Sequence, residues 1–146
     1  MLSQKAKYAL RALLMLAERP AGEPLLIADI AERQNLPKKF LELILLDLKH
    51  RGILHSRRGK NGGYLLARDP ATVTFGEVVR IVDGPLASVL CVSQTAYRRC
   101  DDCRDEAACA VRKVFRRVRD ATAAILDNHT LADALGRTSK RSARLR

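Results

Sequence analysis

Apolar positions recur every three or four residues along most of the chain, which is the spacing of amphipathic helices. Near the N-terminus, one helical face collects Ala6, Ala9, Leu10, Leu13, Leu14 and Ala17. Ile27, Ile30 and Ala31 then indicate a short helix, and Asn35-Leu36-Pro37 ends it because the residue before a proline avoids the helical region. Pro37 suits the first turn of a longer helix, which has the apolar stripe Phe40, Leu41, Ile44, Leu45 and Leu48. Two helices joined this tightly predict a helix-turn-helix.

The pattern changes between positions 52 and 68, after Gly52 stops the longer helix. Two short apolar runs, Ile53-Leu54 and Tyr64-Leu65-Leu66, flank a segment rich in Arg, Lys and Gly. Asn61-Gly62 is a strong turn signal between such runs, so these residues predict a β-hairpin. A hairpin directly after a helix-turn-helix is the wing of a winged helix.

The C-terminal half predicts three more helices. The first runs from Thr74 to Val82 with Thr74 as its cap, and the last is the short LADAL segment. Between them, a long helix expected from about Asp105 to Asn128 has an apolar seam at Val111, Val114, Phe115, Val118, Thr122 and Ile125. Either the winged-helix body or a second copy of the helix must cover this seam. We favour the second copy, because the opposite face is charged at Arg112, Lys113, Arg116, Arg117 and Arg119.

These elements predict a mainly α fold with a small β wing, built as a winged helix-turn-helix domain plus a long dimerisation helix. The winged helix is expected to occupy residues 1–84 and a cysteine-rich loop residues 85–104. The dimerisation helix and the short terminal helix follow in residues 105–135. Residues 136–146 contain five basic residues and no acidic one, which predicts a disordered basic tail.

Basic residues outnumber acidic ones and are concentrated on the predicted helix-turn-helix and wing. The chain has 27 Lys and Arg against 16 Asp and Glu, a formal net charge of +11. This excess favours a polyanionic partner, nucleic acid before an anionic membrane surface. Residues 38–68 alone hold eight Lys and Arg against two acidic residues. We therefore predict that the chain binds double-stranded DNA.

The expected DNA-binding residues lie at the start of the longer helix and around the wing tip. They are Lys38, Lys39, Glu42, Arg57, Arg58, Lys60 and Asn61. The first turns of the second helix enter the major groove in helix-turn-helix docking. Lys38 and Lys39 suit phosphates or guanine edges there, and Glu42 suits a cytosine amino group. The basic wing tip is expected to reach the flanking backbone or the minor groove.

The N-terminal segment has early positive charge followed by an apolar run, as a signal peptide does. Arg11 interrupts the run, and no small-residue cleavage site follows it. No segment approaches the roughly 18 unbroken apolar residues that a membrane span needs. We therefore expect a cytoplasmic protein with no membrane partner.

All the cysteines, Cys91, Cys100, Cys103 and Cys109, lie in one short segment. Thiols stay reduced in the cytoplasm, where clustered cysteines more often bind metal than form disulfides. Four thiolates suit an iron–sulfur cluster or a zinc ion, and their spacing does not separate the two. The three histidines are scattered and no nucleophile motif is present, so we do not expect an enzyme.

Charged residues crowd the cysteine segment. Guanidinium groups lower the pKa of a nearby thiol, and we expect this effect from Arg98, Arg99, Arg104 and Arg112. Carboxylates are favourable at a helix N-terminus. We therefore expect the long helix to be capped by Asp101, Asp102, Asp105 and Glu106.

Three stretches resemble the winged-helix regulator family that includes IscR, NsrR, RirA and CymR: ADIAERQNLPKKFLELILLDLKHRGIL, RRGKNGGYLLARDP and TFGEVVRIVDG. The resemblance covers nearly the whole chain, and GGYLLAR in the wing is its most specific element. It implies a homodimer joined through the long helix that binds a palindromic operator, usually as a repressor. It also implies that Lys39, Glu42 and Arg58 touch bases.

Many members of that family hold an iron–sulfur cluster on three cysteines with five residues between successive ligands. Cys103 and Cys109 match the second and third ligands, and Cys91 matches the first only with a longer intervening loop. The resemblance therefore implies a 2Fe-2S or 4Fe-4S cluster whose response to iron, redox state or nitric oxide sets operator affinity. The alternative is a cluster-free regulator that contains zinc or responds to thiol oxidation.

The fourth ligand departs from the family pattern. Arg112 stands where the IscR type has a histidine, Tyr8 stands where the NsrR type has an aspartate, and Ala12 one turn later offers no ligand. Cys100, which forms a C-x2-C pair with Cys103, is the obvious replacement. The alternative is that Cys100 is a bystander.

Overall fold

Six helices and a two-stranded sheet form the computed structural model, which describes residues 2–137. The N-terminal half contains α1 (Gln4–Glu18), α2 (Ile27–Gln34), α3 (Lys38–His50), β1 (Leu54–Arg57) and β2 (Gly63–Leu66). The C-terminal half contains α4 (Phe75–Asp83), α5 (Ala110–Leu126) and α6 (Leu131–Ala134), with 3₁₀ turns at Pro70–Thr72 and Leu90–Val92. The mainly α fold with a small β wing is confirmed.

The helix-turn-helix has the tight joint that the sequence predicts. Asn35 ends α2 in the left-handed region, with φ of 51°. Pro37 has an extended backbone and precedes α3 as its N-cap, so the expectation that it lies in the first turn is wrong by one position. The buried face of α3 consists of Leu41, Ile44, Leu45 and Leu48. An ion pair of 2.9 Å between Lys5 and Asp47 adds a polar tie between α1 and α3.

The wing is an antiparallel hairpin in which Leu54 pairs with Leu66 and Arg57 pairs with Gly63. An isolated bridge between Leu25 and Tyr64 adds the chain before α2 as a third, single-residue partner. Gly63 is required here, since it has φ of 134° and a Cβ atom would lie 2.3 Å from the Leu25 carbonyl oxygen. The hairpin is therefore fixed to the body at its base, and its tip projects from it.

The long helix begins later than predicted. α5 has 17 residues and starts at Ala110, whereas the apolar spacing predicts a start near Asp105. Asp105 instead accepts hydrogen bonds from the backbone amides of Ala107 and Ala108, which closes a turn before the helix. The N-cap of α5 is Cys109, so the expectation that acidic side chains cap this helix is wrong.

The C-terminal end of α5 is attached to the winged helix. Asp127 forms a bidentate ion pair with Arg80 of α4, and Gly76 leaves the space for it, because a Cβ atom there would meet the Asp127 carboxylate. Leu131 of α6 is fully buried in the core. Within the described residues, no helix is long and apolar enough to cross a membrane. The predicted basic tail lies outside the described residues from position 138 onward.

Candidate nucleic-acid interface and cysteine loop

The first two turns of α3 present a charged surface. Because the buried face of α3 points to the core, Lys38, Lys39 and Glu42 are left exposed at the N-terminal end of the helix. The positive end of the helix dipole lies at the same place. The structure therefore brings these three predicted residues together on one exposed helix end.

The wing tip carries the other predicted DNA-binding residues. Arg58, Lys60 and Asn61 are exposed in the turn between β1 and β2. Arg57 at the end of β1 is also exposed, and its guanidinium donates a hydrogen bond of 3.3 Å to the Gly22 carbonyl. The Gly22 contact braces the wing against the loop between α1 and α2.

Arg68 is different from the other basic residues of the 38–68 segment. Its guanidinium forms a bidentate pair with Glu77 at 2.7 and 3.0 Å and also donates to the Thr72 carbonyl. The hydrogen bond with Glu77 raises the pKa of Arg68 above its ordinary value. This charge stabilises the junction between the wing and α4 and is not part of the exposed basic surface.

Two leucines on the outer face of α3 were not among the predicted site residues. Leu43 is 60% exposed and Leu46 is 41% exposed, although both belong to the helix that carries Lys39 and Glu42. The sequence indicates their exposure only by their position, because both leucines lie outside the apolar stripe that packs into the core. Phe40, at the edge of that stripe, makes an edge-to-face contact with Tyr8.

The cysteine loop brings some of its thiols together. Cys91 is buried in the 3₁₀ turn, Cys100 is exposed, and Cys103 and Cys109 are partly exposed. The hydrogen bond between Cys100 and Cys91 is the main reason that the pKa of Cys100 lies above its ordinary value, and Asp102 and Cys103 add to the effect. The expectation that nearby arginines lower thiol pKa values is therefore wrong at Cys100.

Two arginines of α5 fasten the Cys91 turn to the helix. Arg112 Nε donates to the Cys91 carbonyl at 3.2 Å, and Arg119 donates to the carbonyl of Val92. Their side chains are only 20% and 16% exposed, so these two residues do not lie on an outer charged face as predicted. The backbone amide of Arg112 also donates to Cys109 Sγ at 3.4 Å. Arg112 thus connects the Cys91 turn with Cys109.

We expect Arg112→Ala to expose Cys91. A hydrogen bond from a charged donor contributes about 1.5–3 kcal/mol, so loosening the turn should raise the alkylation rate of Cys91 by roughly tenfold or more. Pulsed labelling of reduced, metal-free protein followed by mass spectrometry measures this rate. Arg116→Ala, on an exposed position of the same helix, is the control. Equal Cys91 labelling in both variants would show that Arg112 does not hold the turn.

The donor atoms of the loop suit a thiolate-bound metal or cluster, because all four are sulfur. Among residues 2–137, however, no group of three or more Cys, His, Asp or Glu side chains is arranged as a metal site. Cys100 interacts with Cys91 and with Cys103, and Cys109 is connected to Cys91 through Arg112. The four thiols therefore suit a metal ion or an iron–sulfur cluster chemically. Binding either group would require the four sulfur atoms to move closer together.

The apolar seam of α5 is largely uncovered. Val111, Val114, Val118 and Ile125 are between 44% and 67% exposed. Beside this helix lies a groove of about 650 Å³, lined in part by Leu10, Phe75, Val79, Leu86 and Leu126. The sequence left two candidates to cover the seam, the winged-helix body and a second copy of the helix. Within one chain the winged-helix body does not cover it.

Comparison with known proteins identifies the family. The family model described as "Rrf2: Iron-dependent Transcriptional regulator" matches residues 2–137. The chain belongs to the Rrf2 family. An rrf2-like HTH-type transcriptional regulator of Rhodobacter capsulatus is 49% identical over 138 residues, covering 92% of each chain. Rrf2 proteins are DNA-binding transcriptional regulators and not enzymes, so the predicted family, the DNA-binding class and the absence of enzymatic activity are confirmed.

Solved structures of Rrf2 regulators share the fold. CymR, described as the global cysteine regulator of B. subtilis, superposes with a TM-score of 0.77 at 30% identity, covering 95% of this chain and 98% of CymR. IscR of T. potens gives a TM-score of 0.74 at 28% identity, covering 97% of this chain and 90% of IscR. The winged-helix architecture is therefore confirmed by two Rrf2 regulators.

Proposed function

We propose that this Rrf2 regulator is a homodimeric repressor that binds a palindromic operator, and that an iron–sulfur cluster in the cysteine loop sets its operator affinity. The observation that carries the proposal is the position of the loop. Its Cys91 turn is fastened to α5 by Arg112 and Arg119, and α5 is in turn paired with α4 through Asp127 and Arg80. The Cys91 turn therefore contacts the helix proposed for dimerisation, and that helix is paired with the DNA-binding body.

The exposed seam of α5 supports the dimer. Large apolar side chains that remain exposed along one helix face favour association, and a second copy presents the same face with two-fold symmetry. In such a dimer the two copies of α3 would reach half-sites separated by about 34 Å, one turn of DNA. A change in the tilt of α5 would then alter the fit of both recognition helices.

For operator binding, we propose roles for the exposed charged residues. Lys38 and Lys39 bind phosphates or guanine edges, and Glu42 accepts from a cytosine amino group. At the wing tip, Arg58 contacts a base while Arg57, Lys60 and Asn61 contact the flanking backbone or minor groove. The support for these roles is the exposure of all seven side chains on the recognition helix and wing of a DNA-binding family.

For the sensor, we propose that Cys91, Cys103, Cys109 and Cys100 hold the cluster. Two observations support these four ligands. The Rrf2 family is described as iron-dependent, and Cys100 interacts with Cys91 and Cys103. The bound group would supply a reversible chemical sensitivity to iron, oxygen or nitric oxide. The residues of the chain transmit the change, because Arg112 joins Cys91 and Cys109 to the start of α5.

A cluster-free regulator, holding zinc or responding to thiol oxidation, is the second candidate. The proximity of the Cys91 and Cys100 thiols favours it, since two neighbouring thiols are suited to disulfide formation. Iron and sulfide analysis of anaerobically purified protein decides between the two. Stoichiometric iron and acid-labile sulfide support the cluster, whereas stoichiometric zinc without sulfide, or no metal, supports the alternative.

We expect operator binding to depend strongly on salt. Two copies of the exposed basic surface should engage about 6–10 phosphates, which would lower affinity by roughly 10³ to 10⁵ between 50 and 200 mM salt. Fluorescence anisotropy with a labelled duplex measures this dependence. A flat response would contradict the proposed phosphate contacts.

A further inference from the structure

We propose that Leu43 is a specificity-determining residue that contacts the C5-methyl group of a thymine in the major groove. The proposal rests on the proposed mode of operator binding and adds an apolar contact to its polar ones. It starts from the exposure of Leu43, which is the most exposed large apolar side chain of α3 at 60%.

A surface helix normally has an apolar inner face packed against the core and a polar outer face in contact with solvent. The inner face of α3 follows this rule, because four apolar side chains are buried there. On its outer face it does not, since Leu43 has most of its surface in solvent. Covering a leucine of this kind with a partner is favourable, because it removes apolar surface from water.

The position of Leu43 places it within the proposed DNA-binding surface. At 3.6 residues per turn, Leu43 lies one turn after Lys39 and about 40° around the helix from it. Glu42 is the preceding residue, and both Lys39 and Glu42 are exposed. Residues in the N-terminal turns of a recognition helix reach base edges, so Leu43 lies next to the groups proposed to do so.

The chemistry of the surroundings favours DNA as the partner that covers Leu43. In the major groove, the thymine methyl group is the apolar group that a side chain meets at a base edge. Lys39, one turn before Leu43, and Lys38 at the start of the same helix match the phosphates of DNA. A second copy docked by this face would bring the same lysines against each other, which is unfavourable.

The test measures the coupling between Leu43 and a thymine methyl group. A high-affinity duplex is first selected from a random library with the wild-type protein, and each thymine is then replaced by deoxyuridine, which lacks only the methyl group. We expect at least one symmetric pair of positions where uracil weakens wild-type binding by about fourfold for each methyl group lost. Leu43→Ala should bind the thymine duplex several-fold more weakly and should no longer distinguish uracil from thymine at that position.

Two variants serve as controls. Leu46→Ala changes the same residue type one turn further from the N-terminus of α3, and Lys60→Ala removes a wing charge. Both should keep the uracil effect at the position that Leu43→Ala no longer reads. Leu43→Ala with an unchanged uracil profile would overturn the inference. If the wild-type protein enriches no sequence, the proposed operator binding fails as well, so the two failures are distinguishable.

Discussion

Val118→Glu should convert the protein from a dimer to a monomer at micromolar concentration. Val118 lies in the middle of the exposed α5 seam, between Val114 and Ile125. In the proposed dimer two such carboxylates would be buried against apolar side chains, which is costly without a partner for the charge. Loss of the dimer removes the advantage of binding two half-sites at once, so operator affinity should fall by about 10² to 10⁴.

Sedimentation velocity measures the association, and anisotropy with the operator measures the affinity. Ala124→Glu is the matched control, because it adds the same charge at an exposed position of α5 outside the seam. We expect the control to remain dimeric and to bind the operator with near wild-type affinity. A dimeric Val118→Glu protein would mean that the seam is not the interface and that another surface joins the two copies.

The winged helix could be predicted from sequence because its elements follow simple periodicities. Four of the five residues predicted for the apolar stripe of α3 are buried, Phe40 being 36% exposed, and Asn61-Gly62 correctly marks a hairpin. Thr74 caps α4 as its position suggests, with its side chain accepting from the Glu77 amide. Such local signals need no knowledge of the tertiary structure, which is why they predicted the elements well.

The cysteine loop was harder to predict because long polar side chains decide its structure. Asp105 satisfies two backbone amides locally, and this turn competes with an earlier start of α5. Arg112 and Arg119 pack their stems inward and use their guanidinium groups on carbonyls of the Cys91 turn. Apolar periodicity does not report such contacts, and charge alone suggested an outward face.

The exposed surface of α3 and the wing differs in two ways from what the charge pattern suggests. Arg68 adds to the basic charge of the sequence, but in the fold it forms an ion pair with Glu77, nine residues later in the chain. Leu43 counts as apolar, and its position off the buried stripe was the only sign that it faces outward. Pairing across elements and exposure are tertiary properties, so composition alone does not give them.

The largest effect on the proposed sensor should come from serine at Cys91, Cys103 or Cys109. An alkoxide is a far poorer ligand for iron than a thiolate, so each change should abolish iron and sulfide in anaerobically prepared protein. Cys109→Ser is the most informative of the three. Its sulfur caps α5 by accepting from the Arg112 amide, and serine is a good N-cap, so the helix should persist when the cluster is lost. Circular dichroism and the dimeric state should therefore remain unchanged in this variant.

Cys100→Ser tests the fourth ligand. The family resemblance implies a histidine where this chain has Arg112 or an aspartate where it has Tyr8, Ala12 offers no ligand, and Cys100 interacts with Cys91 and Cys103. We therefore expect Cys100→Ser to lose the cluster or to bleach much faster in oxygen, with a matching change in operator affinity. Normal iron, sulfide and oxygen tolerance in this variant would place the fourth ligand elsewhere, with Asp102 or Asp105 the next to substitute. Zinc without sulfide in the wild-type protein would instead exclude the cluster and leave a winged-helix repressor with a structural metal.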